Sequence, residues 1–163
     1  MKLLRVLLLV AVAAACVRPA SAQPANSRVG LGFNTMASTA DGLGVGLRGR
    51  LSIPINADIS AAADFGITGF VLGGRQNADY ILDPQISAIV TLPPSRNRVG
   101  YVLFGLGGYI PVGGGEGGPT LHVGLGRAHA LQESSFYYEI DPALVIGREG
   151  VDLAVPLRFG IIL

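Results

Sequence analysis

Large apolar residues recur along this chain at every second position, not at helical spacing. The end shows it most fully: Val151, Leu153, Val155, Leu157, Phe159, Ile161 and Leu163 alternate with Asp152, Ala154, Pro156, Arg158, Gly160 and Ile162. A period of two gives a β-strand one apolar face and one small or polar face. The alternation predicts eight strands, near Arg28–Asn34, Leu43–Ile53, Asp58–Thr68, Tyr80–Leu92, Val99–Ile110, Thr120–Arg127, Ser135–Ile146 and Val151–Leu163. The fifth is apolar in both phases, with Val102, Phe104, Leu106 and Ile110 the greasier set. Turn formers punctuate Thr35–Gly42, Pro54–Ala57, Val71–Asp79, Pro93–Arg98, Pro111–Pro119, Ala128–Ser134 and Gly147–Gly150. Pro84, Pro142 and Pro156 fall inside strands, where each removes a ladder donor, so bulges or a break are expected there.

Alternation alone does not say which face meets water. The composition of the second face decides. A water-facing exterior would be rich in Lys and Glu, whereas this face is mostly Gly, Ala and Ser with scattered charges of both signs. Small residues and paired charges suit the narrow interior of an eight-stranded barrel, with the apolar face turned to lipid. The expected fold is therefore all-β: an eight-stranded antiparallel up-and-down transmembrane β-barrel. The candidate lumen residues are Arg48, Arg50, Asp58, Asp64, Asp83, His122, Arg127, Glu139, Asp141, Asp152 and Arg158. They must pair, because an unpartnered charge in a poorly hydrated interior costs several kcal/mol. Phe33, Phe70, Tyr80 and Tyr109 near outer strand ends, and Tyr101, Phe136, Tyr138 and Phe159 near inner ends, suggest two interfacial girdles.

The N-terminus reads as a secretion signal. Lys2 and Arg5 precede the apolar run Leu7–Ala15, and Ala20-Ser21-Ala22 fits a small-x-small cleavage site. The expected division is a signal peptide over 1–22 and a barrel over 23–163; lipoprotein processing at Cys16 is the alternative. Removing 22 residues from 163 leaves 141, one domain. Lys2, Arg5 and Arg18 leave with the signal, so nine of the 12 basic side chains, all Arg, face 11 acidic ones. A net charge of −2 with no basic stripe gives no reason to expect a nucleic-acid partner. Mean hydropathy is +0.50 with only 14% charged residues. Since no apolar run after residue 22 is long enough for a membrane helix, strands with one lipid-facing side account for that hydropathy.

On the signal site, the eight-strand meander and the apolar last strand, the chain resembles the small eight-stranded outer-membrane barrel proteins of the OmpA-transmembrane and OmpX-like kind, over Gln23–Leu163. The resemblance implies an outer-membrane location, contact with outer-membrane lipid, and delivery to the barrel-assembly machinery through strand 151–163. Leu163 departs from the family in being apolar but not aromatic.

Chemistry beyond a barrel is thinly signalled. His122 lies on the small-residue face, and His129 lies in a turn with Glu133, Ser134 and Ser135; neither makes a Ser–His pair that spacing alone would identify. Gly113–Gly118 contains Glu116 but lacks the Lys-Ser/Thr ending of a phosphate loop. Two His and no Cys after residue 22 give no metal cluster. No catalytic residue, metal or cofactor is expected. The expected role is structural or surface-interactive, with loops around Met36–Asp41, Gly73–Asp79 and Gly113–Gly118 facing an unidentified ligand. A narrow pore lined by Arg48 and Arg50, and a soluble lipocalin-like carrier, are the alternatives.

Overall fold

The computed structural model describes residues 27–163 except 75, 77, 94–97 and 149; the signal segment expected over 1–22 lies outside them. The strands are β1 (Arg28–Ser38), β2 (Gly42–Pro54), β3 (Ile59–Gly73), β4 (Tyr80–Thr91), β5 (Arg98–Val112), β6 (Gly118–Ala130), β7 (Ser135–Ile140), β8 (Ala143–Ile146) and β9 (Val151–Ile162). All neighbours pair antiparallel in chain order, and β1 pairs with β9 from Gly30↔Ile162 to Ser38↔Ala154, closing the sheet. β7 and β8 are two halves of one barrel strand. The architecture is a closed, eight-stranded, up-and-down barrel.

Alternation fixes which residues look out. Leu31, Leu47, Ile86, Leu106, Val123 and Leu125 stand exposed on the wall, Ile86 by as much as 71%. The opposite phase is shut inside. The fifth strand follows its greasier phase: Phe104, Leu106 and Ile110 point out, while Tyr101, Leu103 and Tyr109 are buried. Tyr101 and Tyr109 therefore belong to the interior and not to girdles. Phe33 lies opposite Phe159, stacked at 5.9 Å between ring centroids, so these two do not mark separate rings.

Several strands outrun their expected ends. β1 continues to Ser38, so Met36 is not a loop residue; it is buried with Ala78, Ile81, Tyr109, Val145 and Ala154 in an apolar layer inside one end of the barrel. The connections at that end, the distal rim, shrink to 39–41, 74–79, 113–117 and 147–150. Those at the terminal rim, beside the first and last strand ends, are 55–58, 92–97 and 131–134. Connections at the two rims are of similar length. Gly42 makes the tightest connection possible. Its φ is +93°, and a Cβ there would strike the backbone of Leu72 and Gly73.

The prolines are absorbed with little distortion. β4 runs through Pro84 and loses pairing with β5 only at Asp83–Pro84; the register is unchanged on either side. The seventh barrel strand breaks at Asp141–Pro142, but Ile140↔Leu157 and Ala143↔Ala154 keep one register across the gap. That register sets Asp141 opposite Pro156, so two prolines on adjacent strands share one interruption. The backbone N–H of Asp141 still donates to Pro156 O at 3.2 Å. The last strand stays whole.

Several glycines inside the wall leave no room for a methyl group. A Cβ on Gly126 would collide with the buried Tyr101 ring, whereas Gly49 has nothing within 4 Å. Gly126→Ala is expected to destabilise the barrel by about 1–3 kcal/mol through overpacking, and Gly49→Ala to leave it unchanged. Urea unfolding midpoints of the two variants in detergent micelles check this.

Candidate functional site

The most chemically dense part of the molecule is the buried network in the middle of the lumen. The inward phase of β2 supplies Arg48 and Arg50. Arg48 Nε donates to Asp64 Oδ1 at 3.1 Å, its Nη1 to Asp83 Oδ2 at 2.7 Å, and its Nη2 to Gln85 Oε1 at 2.5 Å. Arg50 Nε donates to Asp64 Oδ1 at 2.7 Å, and its two terminal nitrogens clasp Glu139 at 2.9 and 2.8 Å. The Arg50 guanidinium also lies 5.5 Å from the centre of the Tyr137 ring. From β9, Arg158 reaches Glu139 at 3.0 Å, Asp141 at 2.5 Å and Gln85 at 3.1 Å. Tyr101 adds a fourth donor to Glu139 at 2.8 Å.

Asp141 continues the chain in the other direction. Its Oδ1 lies 2.9 Å from His122 Nδ1, and His122 Nε2 lies 3.4 Å from Ser87 Oγ. The order Asp–His–Ser is that of a nucleophile and its base. Here the imidazole and the Asp141 carboxylate are fully enclosed, and Asp141 is shared with Arg158. The arrangement serves as a hydrogen-bond chain that satisfies buried groups. Three guanidiniums thus meet four carboxylates, and the fourth, Asp141, takes the imidazole as an additional partner.

Register explains how these side chains meet. Four times, two polar residues on strands that are not neighbours face each other and bond across a glycine of the strand between; a fifth row, Gln85–Gly107–Thr120, is aligned in the same way without a bond between its ends. Gly46 separates Asn34 from Thr68, Gly66 separates Arg48 from Asp83, Gly105 separates Ser87 from His122, and Gly126 separates Tyr101 from Glu139. In each of the four the flanking groups bond over the missing side chain, as in the 2.8 Å contact from Asn34 to Thr68.

Of the residues expected in the lumen, Arg48, Arg50, Asp64, Asp83, His122, Glu139, Asp141 and Arg158 are brought together there. Three are not. Asp58 is exposed in the 55–58 turn, where its N–H and that of Ile59 are capped by Asn56. Arg127 is exposed in the outward phase of β6, next to inward Gly126. Asp152 has the inward phase but sits at the distal rim, bonded to Thr39 at 2.9 Å. Gln85, Ser87 and Tyr101 join the network without having been expected there, and Asn34 and Thr68 form a separate buried pair. The distal rim is itself tied together. Tyr109 donates to Asp41 at 2.6 Å, the Ala78 N–H donates to Asp41, and Glu116 accepts from the Arg148 N–H at 2.6 Å.

No protein-family model and no curated protein matches the chain. Solved structures do. Neisserial surface protein A superposes with a TM-score of 0.73 at 15% identity, over 86% of this chain and 99% of that one. The N-terminal β-barrel domain of Pseudomonas aeruginosa OprF gives 0.57 at 18% identity, over 86% and 100%. Ail, the attachment invasion locus protein of Yersinia pestis, gives 0.53 at 16% identity, over 86% and 100%. The fold is that of the small eight-stranded outer-membrane barrels.

Glu139 neutralises two guanidiniums at once, so its loss strands buried charge. Glu139→Gln is expected to cost about 3–5 kcal/mol of folding free energy, read as a fall in the urea midpoint in micelles. A midpoint unchanged from wild type would show the network to be energetically idle.

Proposed function

We propose that this chain is an integral outer-membrane barrel with a structural and surface-contact role, sealed to solutes and without catalytic activity. One observation carries the reading: the wall is inside-out for water. Aliphatic side chains cover its exterior, while guanidiniums and carboxylates fill its interior. An apolar surface of this extent has no place in a soluble monomer, and a carrier of apolar ligands needs the reverse arrangement. The sealed reading is supported by side-chain bonds that cross the lumen, the Arg50–Glu139 ion pair and the hydrogen bond from Arg158 to Gln85, beneath the layer of Met36, Ile81 and Tyr109. The terminal rim is the periplasmic one in this proposal. The apolar strand 151–163 is the segment the barrel-assembly machinery reads, and the tied connections of the distal rim form the outward contact surface.

Membrane fractionation of the full chain, followed by gels of unheated and boiled samples, tests the location. The protein is expected in the outer-membrane fraction with a mobility that shifts on boiling; recovery from periplasm without detergent overturns the proposal. In planar bilayers the folded protein is expected to be silent. A steady conductance that disappears in Arg48→Ala or Asp64→Ala would establish the pore instead.

A further inference from the structure

We propose that the outer wall of β5, β6 and β7 at the terminal rim binds the headgroup of an anionic phospholipid, a reading that rests on the membrane location proposed above. Arg127 is exposed on the outward phase of β6, directly after the lipid-facing series Leu121, Val123 and Leu125. It is three residues from the strand end at Ala130, about 10 Å along the strand, which is the depth of a headgroup and not of an acyl chain. Register sets Arg127 opposite Gly100 and Arg98 opposite His129. The two arginines are therefore diagonal neighbours, about 7–8 Å apart at their Cα atoms, close enough to hold one phosphodiester between them. Among the described residues neither makes an ion pair. The neighbouring acid, Glu133, lies beyond the strands in the exposed 131–134 turn.

The rest of a lipid has a place beside them. Across from Arg127 stands Tyr138, with the His129 ring 5.9 Å away and Phe136 at 6.4 Å. Polar-tipped rings such as those of Tyr138 and His129 settle at a membrane interface. From Arg127 and Tyr138 a shallow groove of 510 Å³ extends over Leu125, Ile140, Leu157 and Phe159. Its cationic end faces the rim, and the rest of its lining is largely aliphatic and aromatic, matching an anionic head and an acyl chain in that order. The distal rim has the opposite character, with Asp41, Asp79, Glu116 and Asp152 against Arg148 among the described residues.

Native mass spectrometry of the delipidated, detergent-folded protein, titrated separately with dioleoyl-phosphatidylglycerol and dioleoyl-phosphatidylcholine, tests the site. Wild type is expected to retain the anionic lipid over the zwitterionic one. Each guanidinium removed should weaken retention about fivefold, so that Arg127→Gln loses about fivefold and Arg98→Gln/Arg127→Gln about twenty-five-fold. Arg148→Gln, on the other rim, should match wild type. Equal retention of the two lipids, or an unchanged double variant, overturns the site. Each sample is also run unheated and boiled. A preserved mobility shift with no lipid preference refutes only the lipid site, whereas a missing shift in wild type refutes the barrel reading on which it rests.

Discussion

Charge enclosed in a wall with an apolar exterior is the constraint from which the remainder of this structure follows. Glu139 is its centre, held by Arg50, Arg158 and Tyr101 at once. A carboxylate there has no bulk water to fall back on, and each guanidinium has the same problem. Mutual satisfaction is the stable solution, and it demands that residues from β2, β5, β7 and β9 converge on one point. The barrel must then be narrow, closed and held in a single register. A slip of one residue would turn the arginines outward and the leucines inward.

The glycines meet that demand. Neighbouring strands stand about 4.8 Å apart, so two polar groups with one strand between them are too far apart to bond if a side chain intervenes. A glycine removes the obstacle, and the four polar–glycine–polar rows stitch non-neighbouring strands together. The prolines fit the same economy of space. Pro142 and Pro156 lie one residue out of level on adjacent strands, so a single gap in the ladder accommodates both, and Asp141 at that gap carries the junction between the guanidinium cluster and His122.

The sidedness and the strand count were legible because they depend on a period of two, which any window of the chain displays. Height along the barrel was not legible, because alternation reports phase alone. Asp152 has the right phase at the wrong level. Asp58 lies in a turn fixed by the side chain of Asn56, and Arg127 belongs to the outer face while its neighbour Gly126 belongs to the inner one. Alternation stops short of a strand's end where the inward phase carries residues that read as loop, as at Met36. The neutral members of the network, Gln85, Ser87 and Tyr101, were missed for a related reason. What marks them is a glycine on the adjacent strand at matching register, and register appears only when the barrel is closed.

The distal connections carry a consequence for how far this protein can act. The longest of them, 74–79, places six residues between strands that lie side by side. A chain of that length, going out and coming back, projects at most about 10 Å. On the membrane location proposed above, so low a profile keeps the contact surface of the distal rim close to the plane of the bilayer.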